Sequence, residues 1–175
     1  MSTNKRFISI AFVVLAASII NGSWIFRQSV VKEPNGSRNQ GGDNEGNVGV
    51  LLQTRSNNCG PTALQMVFNH YKIPCSVDEI ERNVRMTENG TTMLALKQIA
   101  DLKGLHAEGW RLTPEDFARS SFPLLLFVRN DHVVVADSIC NEMVFLRDPA
   151  VGIVRMSTRS LSQAWRGEAL VFNKK

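Results

Sequence analysis

The sequence predicts an α+β domain, with N-terminal helices packed on an antiparallel sheet, preceded by one transmembrane or signal helix. Three observations predict it. Apolar residues recur at helical spacing between residues 59 and 104, short β-branched runs dominate from residue 123 onward, and a separate apolar stretch fills residues 7–26. Helices that come first and strands that come later indicate an antiparallel sheet, because a parallel one needs the two to alternate.

The chain has 175 residues, room for one ordinary domain and a tail. Lys5 and Arg6 precede the apolar stretch from Phe7 to Phe26. About 20 residues at about 1.5 Å each match a bilayer core of roughly 30 Å. Residues 1–26 therefore read as a signal anchor or a signal peptide. The absence of a clean small-residue cleavage site, and the apolar continuation through Trp24, Ile25 and Phe26, favour the anchor. Residues 27–47 are polar and rich in Gly and Asn, a composition that reads as a flexible linker. An apolar segment ahead of a soluble domain most often exports that domain, so an extracytoplasmic location is expected, on the periplasmic or cell-surface side of an inner-membrane anchor.

Residues 48–175 form the domain. Val48 to Gln53 reads as a short strand, and Cys59 to Lys72 as a first helix. Ser76 and Glu79 form a capping box for a second helix through about Val84. Thr91 or Thr92 starts a third helix that stops near Lys103 and Gly104, and Pro114 opens a short fourth. Strands follow at Pro123–Arg129, Val133–Ser138, Met143–Arg147, Gly152–Met156 and Glu168–Phe172, with a short helix at Leu161–Trp165. Asn130 and Asp131 join the first two of these strands.

Composition removes several function classes. The 20 basic and 16 acidic residues leave a net charge of +4 with no basic stripe interleaved with aromatics, so no nucleic-acid partner is expected. No glycine-rich phosphate loop ending in Gly-Lys-Ser or Gly-Lys-Thr is present, which excludes an ATP-driven transporter within this chain. Three scattered cysteines are too few for a disulfide scaffold or a zinc site.

Cys59 lies where a polar loop turns into the first helix. Unpaired N–H groups and a partial positive charge at a helix N-terminus favour thiolate over thiol. Gly60 after it lets a substrate backbone approach, and Pro61 suits a first helical turn. Cys75 and Cys140 lack this setting and read as structural, or as one disulfide if the domain is exported. A thiolate nucleophile needs an imidazole and a group to orient it. Among the histidines, His70 is inside the first helix and His106 opens an ordinary strand, whereas His132 sits where a turn meets a Val-rich strand. Asp148, at the end of the next strand and before Pro149, is the candidate orienter, with Asp131 and Asp137 as rivals. Gln53 is a candidate side-chain donor to an oxyanion.

Together these positions resemble the papain-like, bacteriocin-processing cysteine peptidases, the double-glycine leader peptidases. That family places a glutamine six residues ahead of a Cys-Gly pair, a histidine that opens a hydrophobic strand, and an Asp-Pro pair 16 residues later. Gln53, Cys59-Gly60, His132 and Asp148-Pro149 fit both spacings. The segment from Glu88 through Gly90 to Leu96 is similar to the family's glycine-containing turn into its third helix. The resemblance implies a papain-like fold in which Cys59 is the nucleophile, His132 the general base and acid, Asp148 its orienter and Gln53 an oxyanion donor. It also implies a thioester acyl-enzyme with no metal or organic cofactor, and cleavage after Gly-Gly or Gly-Ala at the end of a leader. The family usually joins this domain to a transporter and an ATPase, and commonly follows the histidine with an aromatic residue; here that residue is Val133.

The expected function is thus a membrane-tethered, stand-alone cysteine endopeptidase that trims a leader or short peptide segment. Its partners would be the Gly-Gly-type peptide, the membrane through residues 7–26 and a secretion channel. The alternative is a noncatalytic module that binds a leader peptide for a secretion system. Acyl transfer or amide hydrolysis on a non-peptide substrate would use the same residues.

Overall fold

The computed structural model describes residues 49–174. The expected anchor or signal peptide at 1–26, the linker at 27–47 and the domain's first residue lie outside that range. Among the described residues, no helix is long and apolar enough to cross a membrane.

Three helices come first: α1 (Cys59–His70), α2 (Val77–Asn83) and α3 (Met93–Leu102). Then follow β1 (Leu105–Arg111), α4 (Pro114–Arg119), β2 (Leu124–Val128), β3 (His132–Cys140), β4 (Met143–Asp148), β5 (Gly152–Ser157), α5 (Thr158–Ala164) and β6 (Trp165–Lys174). The strands make one antiparallel sheet in the order β1-β6-β2-β3-β4-β5. The α+β class and the antiparallel sheet are as the sequence predicts.

Alternation along the strands sends side chains to two cores, one on each face. On one face Leu125, Val133, Val135, Leu170 and Phe172 meet Leu64, Phe68 and Leu96 of α1 and α3. On the other, Leu126, Val134, Leu146 and Ala169 meet Phe117 of α4, Leu161 of α5 and Trp165. Leu64 and Phe68 are fully buried, and truncating such a side chain to Ala costs about 2–5 kcal/mol. This burial fixes α1 against β3, so the start of α1 is held near the start of that strand.

The differences from the sequence reading have local causes. Residues 48–53 form no strand where described: the Leu51 N–H goes to Met66 Sδ and the Gln53 N–H to the Pro149 carbonyl, so no ladder builds up. Only half of the Ser76–Glu79 capping box forms. Ser76 Oγ accepts from the Glu79 N–H, while the Glu79 carboxylate pairs with Lys103. Thr92, not Thr91, caps α3. The last helix starts earlier, at a Ser157 cap, and Trp165 already belongs to β6. Arg129 and Asn130, both in left-handed conformations with φ of 54° and 64°, carry the β2–β3 turn, one residue earlier than the Asn130-Asp131 pair.

Candidate active site

Four of the five described helices begin with a hydroxyl that accepts an N–H from the first turn: Ser76, Thr92, Thr113 and Ser157. α1 does not. Its N-cap residue, Asn58, makes no side-chain cap bond. Instead Asn58 is buried and points away from the helix. Its Oδ1 accepts from the Arg55 N–H, and its Nδ2 donates to Thr54 Oγ1 and Glu81 Oε1. The loop before Cys59 is thereby tied to α2, and the first N–H groups of α1 keep their hydrogen-bonding capacity for another acceptor.

Cys59 is the first residue of α1 and is buried. Burial pushes its thiol up. The hydrogen bond with His132, the Val133 and Gly60 backbone groups and the His132 charge outweigh that push, so its pKa falls below the usual 9.0. Gly60 has a packing part as well. A Cβ there would stand 3.1 Å from Leu96 Cδ1 and 3.5 Å from Thr91 Cγ2, so the missing side chain admits α3 against α1. A second close approach lies alongside. Gly90 has φ +89°, a Cβ on it would stand 3.0 Å from the Asn57 carbonyl oxygen, and Asn57 Nδ2 donates to the Thr87 carbonyl. The turn at 87–90 thus rests directly on the loop that carries the cysteine.

His132 is the first residue of β3, and Asp148 is the last of β4. His132 Nε2 stands 2.6 Å from Asp148 Oδ1, which also accepts the Ala150 N–H at 2.8 Å. With Nε2 engaged by the carboxylate, Nδ1 is the ring nitrogen left for the sulfur. Burial opposes protonation of His132, but Asp148 and Cys59 outweigh it and push the imidazole up to about 9. Burial also pushes Asp148 up, and its bonds from His132 and the Ala150 N–H, with the charges of His132 and Arg129, bring it below the usual 3.8. All three shifts run toward a carboxylate, an imidazolium and a thiolate. Such a set can attack a carbonyl carbon with sulfur and return a proton to a leaving amine.

Cys59, His132 and Asp148 are brought together as the sequence predicts. Gln53 is held beside them by its backbone, N–H to the Pro149 carbonyl at 2.7 Å, but its Nε2 donates to the Arg55 carbonyl at 2.9 Å. Its amide is engaged within its own loop, and its Oε1 is buried with no partner. The rivals of Asp148 stand elsewhere: Asp131 is exposed in the turn, and Asp137 is paired with Arg147. Cys75 is buried and Cys140 exposed, and both are free, so of the two readings, structural or one disulfide, the disulfide is not formed in this structure. Asn58 escaped the sequence reading because an Asn ahead of a helix signals a cap, and here it is used otherwise. Arg129, 3.9 Å from Asp148 Oδ2, gave no signal at all.

A cleft of about 340 Å³ opens on the α3 side of the sheet, lined by Met93, Leu94, Trp110, Phe127 and Leu170. Leu94 is 63% exposed and Trp110 54%, high values for such large apolar groups. Phe127 pairs in register with Val133, the residue after His132, so the cleft adjoins the strand that carries the imidazole.

Residues 47–175 match the family model described as Peptidase C39. The chain belongs to the peptidase C39 family. It is 30% identical to an uncharacterized protein of Methanothermobacter thermautotrophicus over 71% of this chain and 88% of that one. It is 27% identical to the colicin V secretion/processing ATP-binding protein CvaB of Escherichia coli, over 70% of this chain but only 18% of that protein. Among solved structures, a double-glycine motif protease from an AMS/PCAT transporter, crystallised with its leader peptide, superimposes with a TM-score of 0.70 at 25% identity. That match covers 73% of this chain and 91% of the other. The papain-like C39 fold is therefore the observed one, and the family is one of cysteine peptidases.

Proposed function

We propose that this C39 domain is an endopeptidase that cuts a leader or short peptide segment after Gly-Gly or Gly-Ala through a thioester. Cys59 Sγ attacks the scissile carbonyl carbon, and the oxyanion takes the uncapped N–H of Cys59. Gln53 Nε2 joins it after leaving the Arg55 carbonyl. Imidazolium His132 hands its proton to the departing amine as the C–N bond breaks and the thioester remains. Water then gives a proton to His132 as its oxygen attacks the thioester, and the C–S bond breaks to release the acid and restore the thiolate. Asp148 holds the ring for both transfers. The observation that carries this reading is the His132–Asp148 contact at 2.6 Å, together with the mutual influence of Cys59 and His132 that lowers the thiol and raises the imidazole. The apolar cleft beside Phe127 supplies a surface for apolar side chains of the peptide upstream of the cut.

The same reading tethers the domain in the inner membrane through residues 7–26, on the periplasmic or cell-surface side and within reach of a secretion channel. The apolar run and the polar stretch after it support this. Cys140, exposed and free, offers a test: a membrane-impermeant maleimide labels it in intact cells if the domain faces outward, and only after lysis if it faces the cytoplasm.

Activity is tested by mixing the full chain with synthetic peptides that carry an internal Gly-Gly and weighing the products. One cut after the second glycine, absent in Cys59→Ala, is expected. Peptide that is bound but left intact by the unaltered chain would assign the domain to leader binding instead.

A further inference from the structure

We propose that Asp137 and Arg147 are positioning residues: their pair fixes the register in which β4 meets β3, and so sets Asp148 behind His132. This rests on the proposed catalytic reading.

The ladder between the two strands is not continuous. Ala136 pairs with Leu146 and Ser138 with Phe145, which leaves Asp137 as the extra residue of a bulge in β3. A bulge interrupts the ladder locally, and one residue of slip would move a strand by about 3.3 Å. The His132–Asp148 contact spans only 2.6 Å. A slip of one position would carry the carboxylate out of hydrogen-bond reach. The Asp148 carboxylate is already held by the Ala150 N–H, so strand register is what remains to be fixed.

The bulge residue itself supplies the restraint. Arg147 Nε donates to Asp137 Oδ2 at 2.7 Å, and Arg147 Nη2 donates to Asp137 Oδ1 at 2.6 Å. This is a two-pronged contact, whose planar fork fixes direction as well as distance. Arg147 is only 4% exposed and immediately precedes Asp148, while Val135 opposite it lies three residues from His132. Asp137 is 33% exposed, so the pair is only part-buried, and its directional fork adds more than its charge does. A fork across a bulge does what an apolar pair cannot: it specifies one register.

The test reads the ring itself, so it does not depend on finding a substrate. In the full chain, His132 is titrated by NMR and the rate of Cys59 alkylation by iodoacetamide is followed against pH. His132 in the unaltered protein should lose its proton at about 9. In Asp137→Asn that midpoint should drop by about one unit or more, the scale of losing a carboxylate partner. Turnover of a Gly-Gly peptide should fall by about 100-fold, the cost of an ångström of misplacement. Should Asp137→Asn fail to fold, the double variant Asp137→Leu/Arg147→Met removes the fork without burying a lone charge and should show the same drop. A folded variant that keeps the unaltered titration and alkylation profile overturns the positioning role. Unaltered protein that titrates as expected but cuts no peptide overturns the peptidase reading instead.

Discussion

Cys59 and Cys75 are each 8% exposed, yet their thiols shift in opposite directions. At Cys75, on the connection between α1 and α2, burial pushes the thiol up and the Glu79 carboxylate adds to it, with Lys103 offsetting only part. At Cys59 burial is again the largest single influence, and it is overcome by an imidazole and backbone N–H groups. Depth in the protein is therefore not what prepares a nucleophile. The partners that face the sulfur decide, and only Cys59 lies where an uncapped helix start meets the ends of two strands.

The largest test of this contrast removes the imidazole. His132→Ala should cut peptide turnover by about 10⁴-fold or more, and it should bring the iodoacetamide reactivity of Cys59 down toward that of Cys75, read by peptide mapping after timed alkylation. Asp148→Asn leaves the ring in place but without its anion. Turnover should fall between about 10² and 10⁴-fold, and the alkaline limb of the pH–rate profile should retreat from about 9 toward the usual 6.5. In the unaltered protein at pH 7, Cys59 should alkylate at least about ten times faster than Cys75, since each unit of thiol pKa is worth about a factor of ten in thiolate.

Folding stability supplies a subtler check. The folded imidazole of His132 keeps its proton up to about 9, against the usual 6.5, so its contribution to stability is fully present below 6.5 and is lost as pH rises through about 9. The lowered Cys59 thiol acts in the opposite sense, with a contribution present above its usual 9.0 and lost as pH falls. Thermal melts across pH 6–9 of the unaltered protein and His132→Ala measure the histidine's share. A His132→Ala midpoint that changes with pH over that range just as the unaltered one does would contradict the raised imidazole. The smallest effect belongs to Glu79→Gln, which should raise Cys75 alkylation by less than about tenfold and leave Cys59 unchanged.

The three residues proposed to react were legible because each sits at a point where local pattern changes. Cys59 opens a helix, His132 opens a Val-rich strand, and Asp148 closes a strand before Pro149. Helices and strands that carry their own periodicity were legible for the same reason. What stayed hidden depends on partners distant in the chain. The Gln53 N–H pairs with Pro149, the Glu79 carboxylate is drawn off by Lys103, and Asp137 finds Arg147 only through a bulge. Asn58 stayed hidden because its amide turns to Glu81 and Thr54 instead of the helix start.

The contact between Gly90 and the Asn57 carbonyl has a practical consequence for engineering. The segment that leads into the cysteine and the turn that leans on it form one interlocked piece. Any residue other than glycine at position 90 would set a Cβ against the Asn57 carbonyl, so a change to either piece has to keep that fit. Chimaeras that aim at altered preference should therefore move positions 57–60 and 87–92 as a single cassette.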